Sequence, residues 1–143
     1  MKTYQFLGYA GLIPFVIFLG LFQYSPSGLF IEPLQAFTFY SAMIFSFIAG
    51  TLWRSGSSAN YKSVQVISNL FCLYAFVCLF LSPFYALLFL SFGYLVLFLA
   101  EYLITTTHTN NDTNNETQNY LKMRFKLTIA VNILHSVAIV FLL

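Results

Sequence analysis

FYALLFLSFGYLVLFLAEYLI, the stretch from Phe84 to Ile104, carries a single carboxylate, Glu101, near its end and no Lys or Arg. A helix of about 20 such residues matches the roughly 30 Å hydrocarbon core of a bilayer, so the run reads as a transmembrane helix. Working outward from it, four more apolar runs of similar length appear, at about 5–22, 34–53, 64–81 and 125–143. The chain is therefore expected to be all-α: one polytopic bundle of about five transmembrane helices filling residues 1–143 as a single domain.

Composition supports this solvent. Of the 143 residues 59% are hydrophobic and 7% charged, and the mean hydropathy is +0.80; a soluble domain of this size could not cover itself with polar surface. The net charge of +2 argues against nucleic acid as a partner, because the cations form short clusters beside apolar runs instead of a basic stripe. Cys72 and Cys78 lie in one apolar run about 240° apart around a helix axis, so they read as packing residues, not as a disulfide or metal pair.

Between the runs lie a Ser25-Pro26-Ser27-Gly28 turn, a polar loop from Arg54 to Lys62, a tight Ser82-Pro83 turn and a polar Asn/Thr-rich loop at about 105–120, expected to be mobile. Threading five spans alternately gathers Lys2, Arg54, Lys62, Lys122, Arg124 and Lys126 on one side and leaves the other without Lys or Arg. The positive-inside rule then places the amino terminus in and the carboxyl terminus out. Merging the third and fourth runs into one hairpin that never crosses would keep the same charge bias, and four crossings remain an alternative count. The first run also resembles a secretory signal, but Gly8, Gly11 and Pro14 within a long apolar core favour a retained helix. No long basic, Ser-rich leader precedes it, so a bacterial cytoplasmic (inner) membrane is the expected location. The sequons at Asn111 and Asn115 then lie on the cytoplasmic side, where they carry no sugar.

Helices in lipid associate through close backbone approach and interhelical hydrogen bonds. Ala42, Ser46 and Gly50, four residues apart, form an expected packing strip, with Ala49 beside it, and Gly8 with Gly11 an expected notch. Pro14 removes a backbone donor and pushes away the Ala10 carbonyl, so a kink is expected there, with a freed carbonyl in need of a partner. Polar residues fall on helical stripes expected to face inward: Gln65, Asn69 and Cys72; Ser91, Tyr94 and Glu101; Thr128, Asn132 and His135. Depth arguments join Asn69, Asn132 and His135 into an expected buried polar cluster, either a hydrogen-bond lock or a site for a proton, metal or small ligand. Glu101 is expected to pair with Arg54 or to snorkel, since both lie about one turn from the cytoplasmic end. Trp53, Tyr61, Tyr102 and Tyr120 suit an interfacial aromatic belt, and His108 a solvated loop.

No H-E-x-x-H, glycine-rich phosphate loop or pair of intramembrane acids is present, and Ser41, Ser46 and Ser91 stand in no protease motif. The expected protein is non-enzymatic, without cofactor or metal. It acts by helix association as an accessory, assembly or oligomeric membrane component, its partners being lipid and either further copies of itself or a membrane complex. The alternative is permeation or binding of a small ligand or ion through the Asn69, Asn132 and His135 cluster.

The segments Gly8-Tyr9-Ala10-Gly11-Leu12-Ile13-Pro14-Phe15, Tyr40 to Trp53 (YSAMIFSFIAGTLW) and Tyr120 to Thr128 (YLKMRFKLT) resemble small multi-spanning membrane proteins of unknown function. These are grouped as domain of unknown function 3429 together with mitochondrial transmembrane protein 69. Ala49 stands where that pattern has a second Gly, and Arg54 where a Gly often follows Trp. The resemblance implies a bacterial inner-membrane protein of unassigned activity.

Overall fold

The computed structural model describes the backbone of residues 3–24, 32–55, 61–108 and 115–143. Lys2, the Ser25 to Gly28 turn, the Asn111 sequon and the Arg54 side chain lie outside the described residues. The regular elements of the described residues are all helices: α1 Thr3–Ala10, α2 Ile13–Tyr24, α3 Pro33–Thr51, α4 Tyr61–Cys78, α5 Pro83–His108 and α6 Asn115–Leu142. A short 3-10 turn, Leu52–Ser55, closes α3.

Three helices are long and apolar enough to cross a membrane, over Pro33–Thr51, Pro83–Thr106 and Thr117–Leu142. The apolar stretches Gly8–Tyr24 and Lys62–Cys78 are shorter, about 25 Å at 1.5 Å per residue. α5 and α6, with 26 and 28 residues, reach roughly 40 Å and so exceed the hydrocarbon thickness. Their length revises the loop expected at 105–120, most of which is helix. Thr106 Oγ1 folds back onto the carbonyls of Tyr102 and Leu103 at 2.9 and 3.2 Å, which satisfies its hydroxyl inside the helix and lets the rod continue. His108 accordingly ends a helix and does not sit in a loop.

Helix boundaries follow local chemistry. Pro33 and Pro83 each start a helix at its first position, where no backbone donor is needed. Ser82 accepts the Ala86 amide at 2.9 Å as α5 begins, while Leu79, Phe80 and Leu81 tighten onto carbonyls three residues back and end α4.

The first apolar run is broken, not merely kinked. α1 stops at Ala10 and α2 starts at Ile13, with Pro14 one residue inside it. Across the break the Leu12 amide reaches the Tyr9 carbonyl at 3.0 Å. The Gly11 carbonyl, beside the Ala10 carbonyl expected to be freed, accepts the Tyr40 hydroxyl of α3 at 3.0 Å.

Rods successive in the chain alternate in direction. Gly8 stands against Leu127 and Met123 and Phe22 against Phe141, so α1 and α2 run parallel to α6. Ser68 reaches the Ala49 carbonyl and Cys72 that of Ser46, which makes α4 antiparallel to α3. Tyr74 to Phe89 and Arg124 to Glu101 do the same for α4 with α5 and α5 with α6. α3 touches α2, α4 and α5 and forms the middle of the bundle. Its buried line is Phe37, Ser41, Phe45 and Ala49, flanked by Leu34, Thr38 and Ala42.

That line corrects the expected strip. Ala42 is buried, Ser46 is half-buried, and Gly50 is exposed, with open space where a side chain would stand. The expected strip runs one residue ahead of the buried line Ser41, Phe45 and Ala49, about 100° around the axis, so it starts at the edge of the interface and ends outside it. The close approach falls instead at Gly93 of α5: an added Cβ would lie 2.7 Å from Tyr74 Cε1 and 3.0 Å from Phe45 Cε2. Inside, Phe15, Phe37, Phe45, Leu87, Leu90 and Leu97 are fully buried; outside, Met43, Phe47, Leu73, Phe92 and Val140 are exposed. Helices apolar on every face are those of a lipid-dissolved bundle.

Candidate functional site

His135 is the most interior ionisable side chain of α6, at 0% exposure. Its Nδ1 lies 2.8 Å from the Val131 carbonyl one turn back, and a carbonyl only accepts, so Nδ1 carries the proton. Nε2 then offers a lone pair, and the Ser41 hydroxyl of α3 donates to it across 2.7 Å. The Ser41 carbonyl in turn accepts the Tyr94 hydroxyl of α5 at 2.8 Å. One hydrogen-bonded chain thus joins α5, α3 and α6 at the centre of the bundle, with both ring nitrogens of a neutral imidazole satisfied.

Aromatic rings wall this chain. Phe37, Tyr94 and Phe15 have centroids 5.2, 5.6 and 5.8 Å from the imidazole. Phe15 also packs edge-on against Phe37 at 5.0 Å and Tyr40 at 4.9 Å, a geometry that ring quadrupoles favour. A hydroxyl donating to an imidazole is the contact that activates serine nucleophiles. Here the second nitrogen is held by a main-chain carbonyl, which orients the ring, and Ser41 sits in mid-helix under these rings. The arrangement fixes one tautomer and ties three helices together.

The expected cluster does not form. Asn69 is exposed on the outer face of α4; Asn132 turns to α5, where Ser91 donates to its Oδ1 at 2.6 Å; His135 turns to α3. Residues 132 and 135 stand about 60° apart around one helix and so face neighbouring partners. On α4 the inward line is Val64, Ser68, Ala75 and Cys78, about 100° away from Asn69. Sequence reading favoured the larger amide; burial selected Ser68, whose small side chain lets α4 approach the Ala49 carbonyl to 2.7 Å.

Charge collects at the other end of the α5 and α6 hairpin. Glu101, 1% exposed, accepts Arg124 Nε at Oε2 and the Tyr120 hydroxyl at Oε1, each at 3.0 Å. Its described cation is therefore Arg124, four residues from Tyr120 on the same face of α6, and the carboxylate is enclosed, not snorkelled. The pair with Arg54 lies outside the described residues. Arg124, expected as a topological cation, thus has a second role, for which the spacing of four between Tyr120 and Arg124 is the helical-face signal in the sequence.

Around these two centres hydroxyl groups reach main-chain carbonyls of neighbouring helices: Ser68 to Ala49, Tyr74 to Phe89 at 2.6 Å and Tyr40 to Gly11. Among the described residues no buried side-chain nitrogen or oxygen lacks a partner, and no three His, Cys, Asp or Glu side chains converge to hold a metal ion.

A family model described as a protein of unknown function, DUF3429, matches residues 1–140. No curated protein and no solved structure matches the chain, so the likeness to mitochondrial transmembrane protein 69 rests on the quoted motifs alone. A match over nearly the full length, together with an all-helical bundle built from apolar rods, establishes that the chain belongs to the DUF3429 family.

Proposed function

We propose that the chain is a multi-pass protein of a bacterial cytoplasmic membrane, crossing five times with the amino terminus inside, and that it acts without catalysis as a component that associates with other membrane helices. One observation carries the reading: among the described residues buried side-chain polar atoms all have hydrogen-bond partners within the bundle, while the outer faces present large apolar side chains. The interior is organised for rigidity, so interaction falls to the outside. The alternating rods support five crossings, and the exposed Lys62, Lys122 and Lys126 suit the cytoplasmic mouth. Permeation along Asn69, Asn132 and His135 is disfavoured because the three side chains point in three directions.

Single cysteines introduced at Lys62, Lys122 and Leu143 in a background with Cys72 and Cys78 replaced test the topology. Impermeant thiol reagents added to intact cells are expected to label position 143 only. Labelling of 62 and 122 from opposite sides overturns the five-span reading. Purification in mild detergent tests association, with a monomer free of any companion at every concentration as the contrary result.

A further inference from the structure

Resting on the association reading, we infer that the outer face of α6 around Asn132 and Ser136 is where a second copy of this chain docks. A groove of about 460 Å³ runs along this face, walled by Leu95 of α5 and by Ile129, Ile133 and Val140 of α6. Its floor is polar. Asn132, half-buried, spends one amide N–H on the Thr128 carbonyl and one carbonyl lone pair on Ser91. One N–H and one lone pair remain on this side chain, which lines the groove. Ser136 is exposed beside it and donates its hydrogen to the Asn132 main-chain carbonyl at 2.9 Å, which leaves the hydroxyl oxygen able only to accept.

Depth identifies the occupant. Asn132 lies eight residues, about 12 Å, beyond Arg124 along α6, and eleven residues, about 16 Å, before Leu143. At that level there is no water and no lipid headgroup, and an acyl chain offers nothing to an amide. Only another helix with polar side chains can complete the bonds. A carboxamide donates and accepts at once, so two copies related by a two-fold axis along the membrane normal satisfy each other, Asn132 to Asn132, with Ser136 accepting alongside. Such an axis keeps both chains in the same orientation, as one membrane topology demands. A lone Asn at a helix seam pairs with itself in the same way in parallel two-stranded coils.

The test is cross-linking in native membranes, using the full chain with Cys72 and Cys78 replaced. Ser136→Cys is expected to form a disulfide-linked dimer on mild oxidation, and Leu73→Cys, on the outer face of α4, is expected to stay monomeric. Dimerisation measured in detergent is expected to weaken at least about tenfold in Asn132→Val. Ser91→Ala, which removes the internal partner of the same amide but spares Asn132, is expected to keep the dimer and so separates docking from folding. A dimer that survives Asn132→Val, or that links through position 73 in preference to 136, overturns the assigned face and leaves association standing. A different protein captured at position 136 overturns the second copy as occupant. A monomer with no companion overturns the inference and the association reading together.

Discussion

Two polar centres of the same bundle are built from opposite chemistry. At the middle, Ser41, Tyr94 and His135 are joined as neutral donors and acceptors under aromatic rings; near one end, Glu101 and Arg124 meet as full charges with Tyr120 completing the carboxylate. The bilayer explains the division. A charge at the centre costs about 2.5 to 3.5 kcal/mol on insertion scales, and less toward the ends. The neutral centre stands or falls by hydrogen-bond geometry, whereas the charged one depends on both partners being present.

The sharpest way to break the contrast is to halve the ion pair. Glu101→Ala leaves Arg124 enclosed without its anion, and a loss of about 3 to 5 kcal/mol is expected, read by denaturant titration of the protein in mixed micelles. Glu101→Gln with Arg124→Met should recover much of that loss, because two neutral groups impose no unpaired charge. If the single and double variants are equally weak, the charge is not what the pair contributes.

Next comes Gly93, which lets α5, the helix that carries Tyr94 of the neutral centre, sit close to α3 and α4. Gly93→Ala drives a methyl into the Tyr74 and Phe45 rings, and about 1 to 3 kcal/mol should be lost, measured by the same titration. Gly50→Ala, which meets open space, is the matched control and should change little.

Ser41→Ala then strips the donor from His135 Nε2, with an expected loss of about 1 to 2 kcal/mol. Its separate signature is a shifted imidazole nitrogen resonance in a 15N spectrum, because Nε2 loses its hydrogen bond. The smallest effect is expected from Tyr40→Phe, roughly 0.6 to 1 kcal/mol. It frees the Gly11 carbonyl and should raise amide exchange across the break between α1 and α2 while leaving α5 and α6 protected.

How much of this could be read beforehand differs between backbone and side chains. Apolar length is a one-dimensional property, so the helices at α3, α5 and α6 stand out directly in the residues. Pro33, Pro83 and Ser82 mark starts for reasons local to each. Which side of a helix faces inward is harder, since a chain apolar all round has no amphipathic stripe to read. The buried cluster failed for that reason: Asn69 was chosen for polarity, while Ser68 beside it holds the interface. Gly93 escaped notice because close approach depends on rings of two other helices, Phe45 and Tyr74, that no local pattern reveals. Pro14 flagged the break correctly in place but not in form, because the partner that tolerates it, Tyr40, lies 26 residues on.

Trp53 offers a final consequence. It is the sole tryptophan of the chain, stands in the turn that closes α3 and is 43% exposed. The protein therefore carries its own optical gauge: excitation of a single indole, quenched by bromine atoms set at known heights along the acyl tails, measures how far that rim is immersed without any label being added.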